Sequence, residues 1–346
     1  MFPVTDHVVK TPRHTSFYLA CGEPTAPLII FVHGWPELSI SWRHQLPCFA
    51  ALGFRAIAPD MRGYGRSSVH PRHEDYALEH IVGDMVELLD SFGQEKAIWV
   101  GHDWGSPVVW EMASHFPNRC HGIANLCVPY FPKGFTLQAL LSLIDRTIYP
   151  EAEFPTGQWE YQQFYRENFD KARTVFEANV RATVKALIRK GDPAGKGKPS
   201  RTAFVRRDGG WFGGRPAAPD LPLDTDVLTE AELDTYVAAL TRNGFHGPGS
   251  WYMNPDANRA YRDKALNDGR LDMPVLFLHG AYDYTCATLD SHFADPMRHS
   301  CPDLTEVVVR TGHWMAQENP VAVNAALARW IATKLPPVWP GSGDSK

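Results

Sequence analysis

An α/β fold with a mostly parallel sheet, interrupted once by a helical insert, is what this sequence predicts. Three observations carry the prediction. Short apolar stretches alternate with helical patterns toward both ends of the chain, as βαβ units do. Between residues 131 and 262 that alternation stops and helical patterns stand alone. In KAIWVGHDWGSPVVWEMASHF (residues 96–116), a buried-strand pattern passes through Gly101-His102-Asp103-Trp104-Gly105 into a helix.

The 346 residues suffice for one large α/β domain, or for a domain carrying an insertion. A content of 44% hydrophobic and 21% charged residues is ordinary for a globular protein. With a net charge of −5 and no arginine-rich run, no nucleic-acid partner is expected. The six cysteines show no C-x-x-C spacing, which predicts buried free thiols in a reducing compartment. MFPVTDHVVKTPRH has no apolar signal core, and the apolar run Leu28–Val32 is far too short to span a bilayer. A cytoplasmic location is therefore expected, with a frayed tail at PPVWPGSGDSK.

Taken in order, strands are expected at His14–Leu19, Leu28–Val32, Arg55–Ala58, Ala97–Val100, Gly122–Cys127, Val275–Leu278 and Glu306–Val309. Between Tyr76 and Phe92 a helical face collects Leu78, Ile81, Val82, Met85, Leu88, Leu89 and Phe92. Val323, Leu327, Trp330 and Ile331 repeat that spacing in a closing helix before Pro336 and Pro337. In the insert, helices are expected over 156–168, 170–190 and 229–242, the last opened by the capping box Thr229-Glu230-Ala231-Glu232. Residues 194–226, rich in Gly, Pro and Lys, are expected on the surface or beside a functional opening. No internal repeat is present.

Strand–turn–helix elbows of hydrolases usually carry serine at the centre of G-x-S-x-G, but here the central residue is Asp103. Serine suits acyl substrates, whose carbonyl carbon accepts attack directly. A carboxylate suits a saturated carbon bearing a leaving group, and its product is an ester that water must then cleave. An aspartate before a helix also serves as an ordinary N-cap, so three further features decide. FVHGWPE ends a strand in His33-Gly34-Trp35-Pro36, which makes the Trp35 and Trp104 backbone N–H groups candidates for an oxyanion hole. LFLHGAYDY presents Asp283 after a strand, and VVVRTGHWMAQENP presents His313 after the last one. With 15 histidines in the chain a random one carries little weight, but nucleophile, acid and base at three strand ends in that order is hard to reach by chance.

These motifs resemble the α/β-hydrolase superfamily, and specifically its soluble epoxide hydrolase-like branch. The likeness runs from His33-Gly34-Trp35-Pro36 through Asp60-Met61-Arg62-Gly63-Tyr64-Gly65-Arg66-Ser67 and the elbow to Gly312-His313-Trp314. It implies a mostly parallel eight-stranded sheet flanked by helices, with residues 1–130 and 263–346 as core and 131–262 as a helical cap. EYQQFYREN (160–168) and GPGSWYMN (247–254) resemble the cap stretches that carry the family's two tyrosines, which implies Tyr161 and Tyr252. Tyr165 is the rival to Tyr161, since a helical turn can present either.

The resemblance implies ring opening of an epoxide by Asp103, with Tyr161 and Tyr252 on the ring oxygen. Water activated by His313, itself oriented by Asp283, then hydrolyses the ester to a vicinal diol, with no metal and no cofactor. Its partners are a small-molecule epoxide and water, and a homodimer is left open. Trp35, Trp104 and Trp314, with Trp251 nearby, suggest an aromatic pocket suited to aryl or lipid-like epoxides. The competing reading is a haloalkane or haloacid dehalogenase using the same aspartate. Trp35 stands where haloalkane dehalogenases tend to have asparagine, and the two tyrosines favour an oxygen leaving group. A catalytically silent receptor on this fold is disfavoured because nucleophile, acid and base are all retained.

Overall fold

A computed structural model describes residues 2–341. Part of the C-terminal tail lies outside those residues. Eight strands form one sheet in the order β1-β2-β4-β3-β5-β6-β7-β8. They are β1 (Thr5–Lys10), β2 (Thr15–Cys21), β3 (Leu28–Val32), β4 (Arg55–Pro59), β5 (Ala97–His102), β6 (Cys120–Leu126), β7 (Val275–Gly280) and β8 (Leu304–Val309). β2 runs antiparallel to both β1 and β4, and the remaining pairings are parallel. β3, β5 and β7 are buried at every position, as parallel strands covered on both faces must be.

β1 is the strand that the apolar pattern does not announce. It lies at the sheet edge, and its positions alternate between exposed and half-buried, so it presents no apolar face to read.

Helices α1 (Gln45–Ala51), α2 (Leu78–Asp90) and α3 (Gly105–His115) join the strands of the first half. α2 buries the expected face of Leu78, Ile81, Val82, Met85, Leu88 and Leu89, while Phe92 falls just beyond its end. Between β6 and β7 come helices and turns alone: α4 (Leu137–Leu140), α5 (Glu160–Glu177), α6 (Val180–Leu187), α7 (Glu230–Asn243), α8 (His246–Ser250) and α9 (Pro255–Arg262). α10 (Asp295–Ser300), α11 (Met315–Glu318) and α12 (Pro320–Lys334) complete the chain, and α12 buries Val323, Leu327, Trp330 and Ile331.

The insert departs from the sequence reading at two asparagines. The expected break near residue 169 is a kink inside α5 at Asn168 (φ −141°, ψ 42°), not a helix end. The helix expected to run unbroken over 170–190 is divided at Asn179, whose side chain accepts from the Ala182 N–H at 3.0 Å and starts α6. The capping box of α7 forms as expected, with Thr229 and Glu232 bonded reciprocally.

The apolar core runs without interruption from the sheet into the insert. All six cysteines are free thiols; Cys48 is only partly buried, the other five fully. Among the described residues no helix is long and apolar enough to cross a membrane.

Candidate active site

Four loops leave the carboxyl ends of parallel strands and meet at one place, where ligands of open α/β sheets bind. β3 and β5 are neighbours, with Val32 opposite Gly101 in register, so the residues after them are brought together. Asp103 follows β5 in a left-handed conformation (φ 49°), a backbone strain that a non-glycine residue adopts only where its surroundings impose it. The elbow packs so closely that a Cβ on Gly105 would lie 2.1 Å from the Val32 carbonyl oxygen. A Cβ on Gly34 would lie 2.4 Å from the Asp103 carboxylate and 2.6 Å from the Trp104 nitrogen. Both positions therefore require glycine.

The Trp35 N–H donates to Asp103 Oδ1 at 2.7 Å, just before a cis Trp35–Pro36 bond. On the other side, His313 Nε2 lies 3.3 Å from Asp103 Oδ2. His313 Nδ1 is 2.7 Å from Asp283 Oδ2, whose second oxygen accepts from the Cys286 N–H at 3.0 Å. Burial opposes a charge on His313, but the Asp283 anion and hydrogen bonds to Asp103 and Asp283 outweigh it, raising its pKa well above 6.5. Asp283 shows the converse. Burial works against its anion, yet His313 holds its carboxyl below the usual range.

A cavity of about 150 Å³ opens onto this group. Trp35, Asp103, Trp104, Tyr161, Tyr252, His313 and Trp314 all line it. Trp251 does not; its indole N–H donates to the Arg62 carbonyl, so it is a structural contact behind the wall. The rings of Tyr161 and Tyr252 meet edge-on at 5.7 Å. Both phenols are pushed up, first by burial and also by the nearby Asp103 charge, so they remain protonated donors. The Gln162 amide donates to the Tyr161 oxygen at 3.2 Å, while the Tyr252 hydroxyl has no hydrogen-bond partner among the described residues. Tyr165 packs against Tyr161, Tyr252 and Trp211 without lining the cavity.

Two histidines of the motifs lie beneath the site. The Met61 N–H donates to His33 Nε2, leaving Nδ1 to donate to the Gly34 carbonyl. His102 has an acceptor at each ring nitrogen, Glu37 Oε2 and the His313 carbonyl oxygen, both at 2.7 Å. Burial disfavours a charged ring there, but Glu37 and the hydrogen bonds raise the His102 pKa well above 6.5. Burial likewise opposes the Glu37 anion, and His102 nevertheless holds that carboxyl down at about 2.

Sequence reasoning missed Glu37 and Glu318, whose carboxylates hold the backbone around the site, and the cavity residues Val128, Phe135, Trp159, Leu187, Arg201, Thr202, Trp211, Thr285 and Cys286. Glu37 follows the HGWP motif directly, which was an available signal. Glu318 lies five residues after His313 in the motif that carries the base, a signal of the same kind, whereas the cavity residues come from scattered insert and loop positions with no spacing to mark them. The loop over 194–226 does border an opening, through Arg201, Thr202 and Trp211.

The chain matches the alpha/beta hydrolase fold family over residues 27–320. It is 32% identical to epoxide hydrolase A of Mycobacterium tuberculosis, over 94% of this chain and 97% of that protein. It is 31% identical to bifunctional epoxide hydrolase 2 of Sus scrofa over 89% of this chain, and the match spans about half (52%) of that longer protein. Among solved structures, epoxide hydrolase A from Mycobacterium thermoresistibile superposes with a TM-score of 0.79 at 30% identity, covering 96% of this chain and 99% of that one. An epoxide hydrolase from an endophytic Streptomyces gives 0.77 at 29% identity, with 95% of each chain covered. By its sheet, its elbow and these likenesses, the chain belongs to the α/β-hydrolase family, on its epoxide hydrolase branch.

Proposed function

We propose that this chain converts epoxides to vicinal diols through an ester on Asp103, and that residues 131–262 act as a cap over the reaction. One observation carries the reading. The Asp103 carboxylate lies between the Trp35 N–H and the His313 imidazole, in a cavity where two protonated phenols stand with it.

In the first step Asp103 Oδ2 attacks a ring carbon and the carbon–oxygen bond breaks. Oδ1, already accepting from the Trp35 N–H, becomes the ester carbonyl. Tyr161 and Tyr252 hydrogen-bond the departing oxygen and one of them transfers its proton, so the alkoxide leaves as a hydroxyl. In the second step His313 takes a proton from water, and hydroxide adds to the ester carbonyl. The Trp35 and Trp104 amides hold the tetrahedral oxyanion, which collapses to free the diol and restore the carboxylate. Between the two steps the imidazolium, protonated at rest, gives its proton to the tyrosinate through the new hydroxyl or solvent, and the proton then taken from water restores it. Asp283 orients the imidazole and supports its cationic form.

The test mixes the His313→Gln variant with styrene oxide and weighs the intact protein. The expected result is a stable gain of one epoxide mass, mapping to Asp103, while the unaltered protein makes diol without accumulating adduct. Asp103→Ala should lose on the order of 10⁴-fold or more in turnover. No adduct in the variant, with labelled solvent oxygen entering the first diol directly, would overturn the scheme. Chloride release from a haloalkane of the same skeleton, without diol formation, would favour dehalogenation.

A further inference from the structure

Beyond the reacting groups, most of the cavity wall is apolar, formed largely by tryptophans. One corner differs. It is formed by Arg201, Thr202 and Thr285; the two threonine hydroxyls are 3.2 Å apart, and that of Thr202 also lies 2.7 Å from the Ser200 hydroxyl. Arg201 is the only exposed residue among those lining the cavity, so it marks the mouth on that side. One guanidinium nitrogen donates to the Ala186 carbonyl at 3.1 Å, in the last turn of α6, which fixes the side chain in place. Its remaining donors have no carboxylate within ion-pair reach among the described residues.

Its surroundings sharpen the point. Lys185 and Lys190, on either side of Arg189, are each paired with an aspartate, Asp220 and Asp226. The neighbouring Arg189 spends its donors on the carbonyls of Lys185 and Pro222 and makes no ion pair among the described residues. In a chain of net charge −5, the cavity mouth thus carries an uncompensated cation. Crowding about the Arg201 guanidinium and the Arg189 charge both lower its pKa, the condition of a cation short of an anion. Asp103, the anion inside the cavity, is already engaged by Trp35 and His313.

We propose that Arg201, with the Thr202 and Thr285 hydroxyls, binds a carboxylate on the substrate, so that the preferred substrates are compact aryl epoxides bearing a carboxylate. The aromatic walls take the ring, and the guanidinium, offering a planar fork of donors, takes the acid. This specificity rests on the epoxide hydrolase reading, but binding at the corner does not require turnover.

The experiment therefore has a binding arm and a turnover arm. Cinnamate and cinnamyl alcohol, which share a skeleton but lack an epoxide, are titrated against quenching of the cavity tryptophans. Cinnamate should bind about 10-fold more tightly than the alcohol, an advantage that salt weakens and Arg201→Gln abolishes. In turnover, 3-phenylglycidate should exceed 3-phenylglycidol by about 10-fold in kcat/KM, mainly through KM. Arg201→Gln should remove that preference, lowering kcat/KM for the acid far more than for the alcohol, and Arg201→Lys should restore part of it. Equal binding of cinnamate and its alcohol by the unaltered protein overturns the proposal, as does an equal loss for both substrates in Arg201→Gln. Cinnamate binding that depends on Arg201, with neither epoxide turned over, supports the corner and counts against the catalytic reading instead.

Discussion

His313 is the one side chain asked to hold opposite proton states in succession. In the free protein two carboxylates, Asp283 and Asp103, raise its pKa well above 6.5 against the pull of burial. Esterification makes Asp103 neutral and removes one of those anions, so the imidazole gives up its proton more readily when a base is needed. The expected outcome is that ester breakdown, followed in single turnover, rises with pH through an apparent pKa below that of His313 measured by NMR in the free protein. Identical values would show that Asp103 does not tune its partner. The raised folded pKa also has a sign for stability: the contribution is full below about 6.5 and fades as pH climbs through the folded value. At this scale the sequence was informative where a candidate follows a strand. Asp103, Asp283 and His313 each do, and the structure puts them within reach of one another. Arg201 follows no strand and has no motif, so only three-dimensional proximity reveals it.

At the scale of elements, short α11 holds the loop that carries the base. Its last residue, Glu318, accepts from the Gly312 N–H at 2.8 Å and the Trp314 N–H at 3.1 Å, on either side of His313. The same carboxylate accepts from the Gly191 N–H at 3.0 Å, so it also ties the insert to that loop. Replacing it by glutamine removes the negative charge and turns one acceptor into a donor facing an N–H. Glu318→Gln should slow ester hydrolysis by about 10-fold, with a smaller effect on ring opening, because the second step alone uses the imidazole as base. The check is accumulation of the covalent adduct during steady state in the variant but not in the unaltered protein. Equal slowing of both steps would mean a general loosening of the loop. Elements were readable where one face is buried, as in α2, and unreadable where none is, as in β1. The kink at Asn168 and the break at Asn179 depend on packing and on a side-chain cap, which a periodicity of apolar positions does not encode.

Across the whole molecule the insert must leave the sheet and return to it without loosening the site, and Arg262 fastens the return. It ends α9, is 3% exposed, and places Nε 3.0 Å from Glu111 Oε1 and Nη2 2.9 Å from Glu111 Oε2. Glu111 lies on α3, the helix that begins two residues after Asp103. Tyr130 and Ser114 take further donors from the same guanidinium at 2.7 and 2.9 Å. The break in strand alternation indicated where the insert begins and ends, but not this pair, because a lone arginine and a distant glutamate share no local pattern. A buried ion pair satisfied in this way need not add much net stability over an apolar pair, since both charges lost their water. Removing one partner is different, because it leaves the other charge buried without its counter-ion, Glu111 keeping only the His115 imidazole 3.2 Å away. Arg262→Met and Glu111→Leu should therefore each cost about 3–5 kcal/mol in urea unfolding, while the double variant should lose far less than the sum. If the singles prove additive, the two residues act independently and the junction is held by packing alone. If they couple as expected, the single variants should also lose activity at temperatures below their unfolding transitions, because the elbow that opens α3 and the insert carry Asp103 and the tyrosines toward the same cavity.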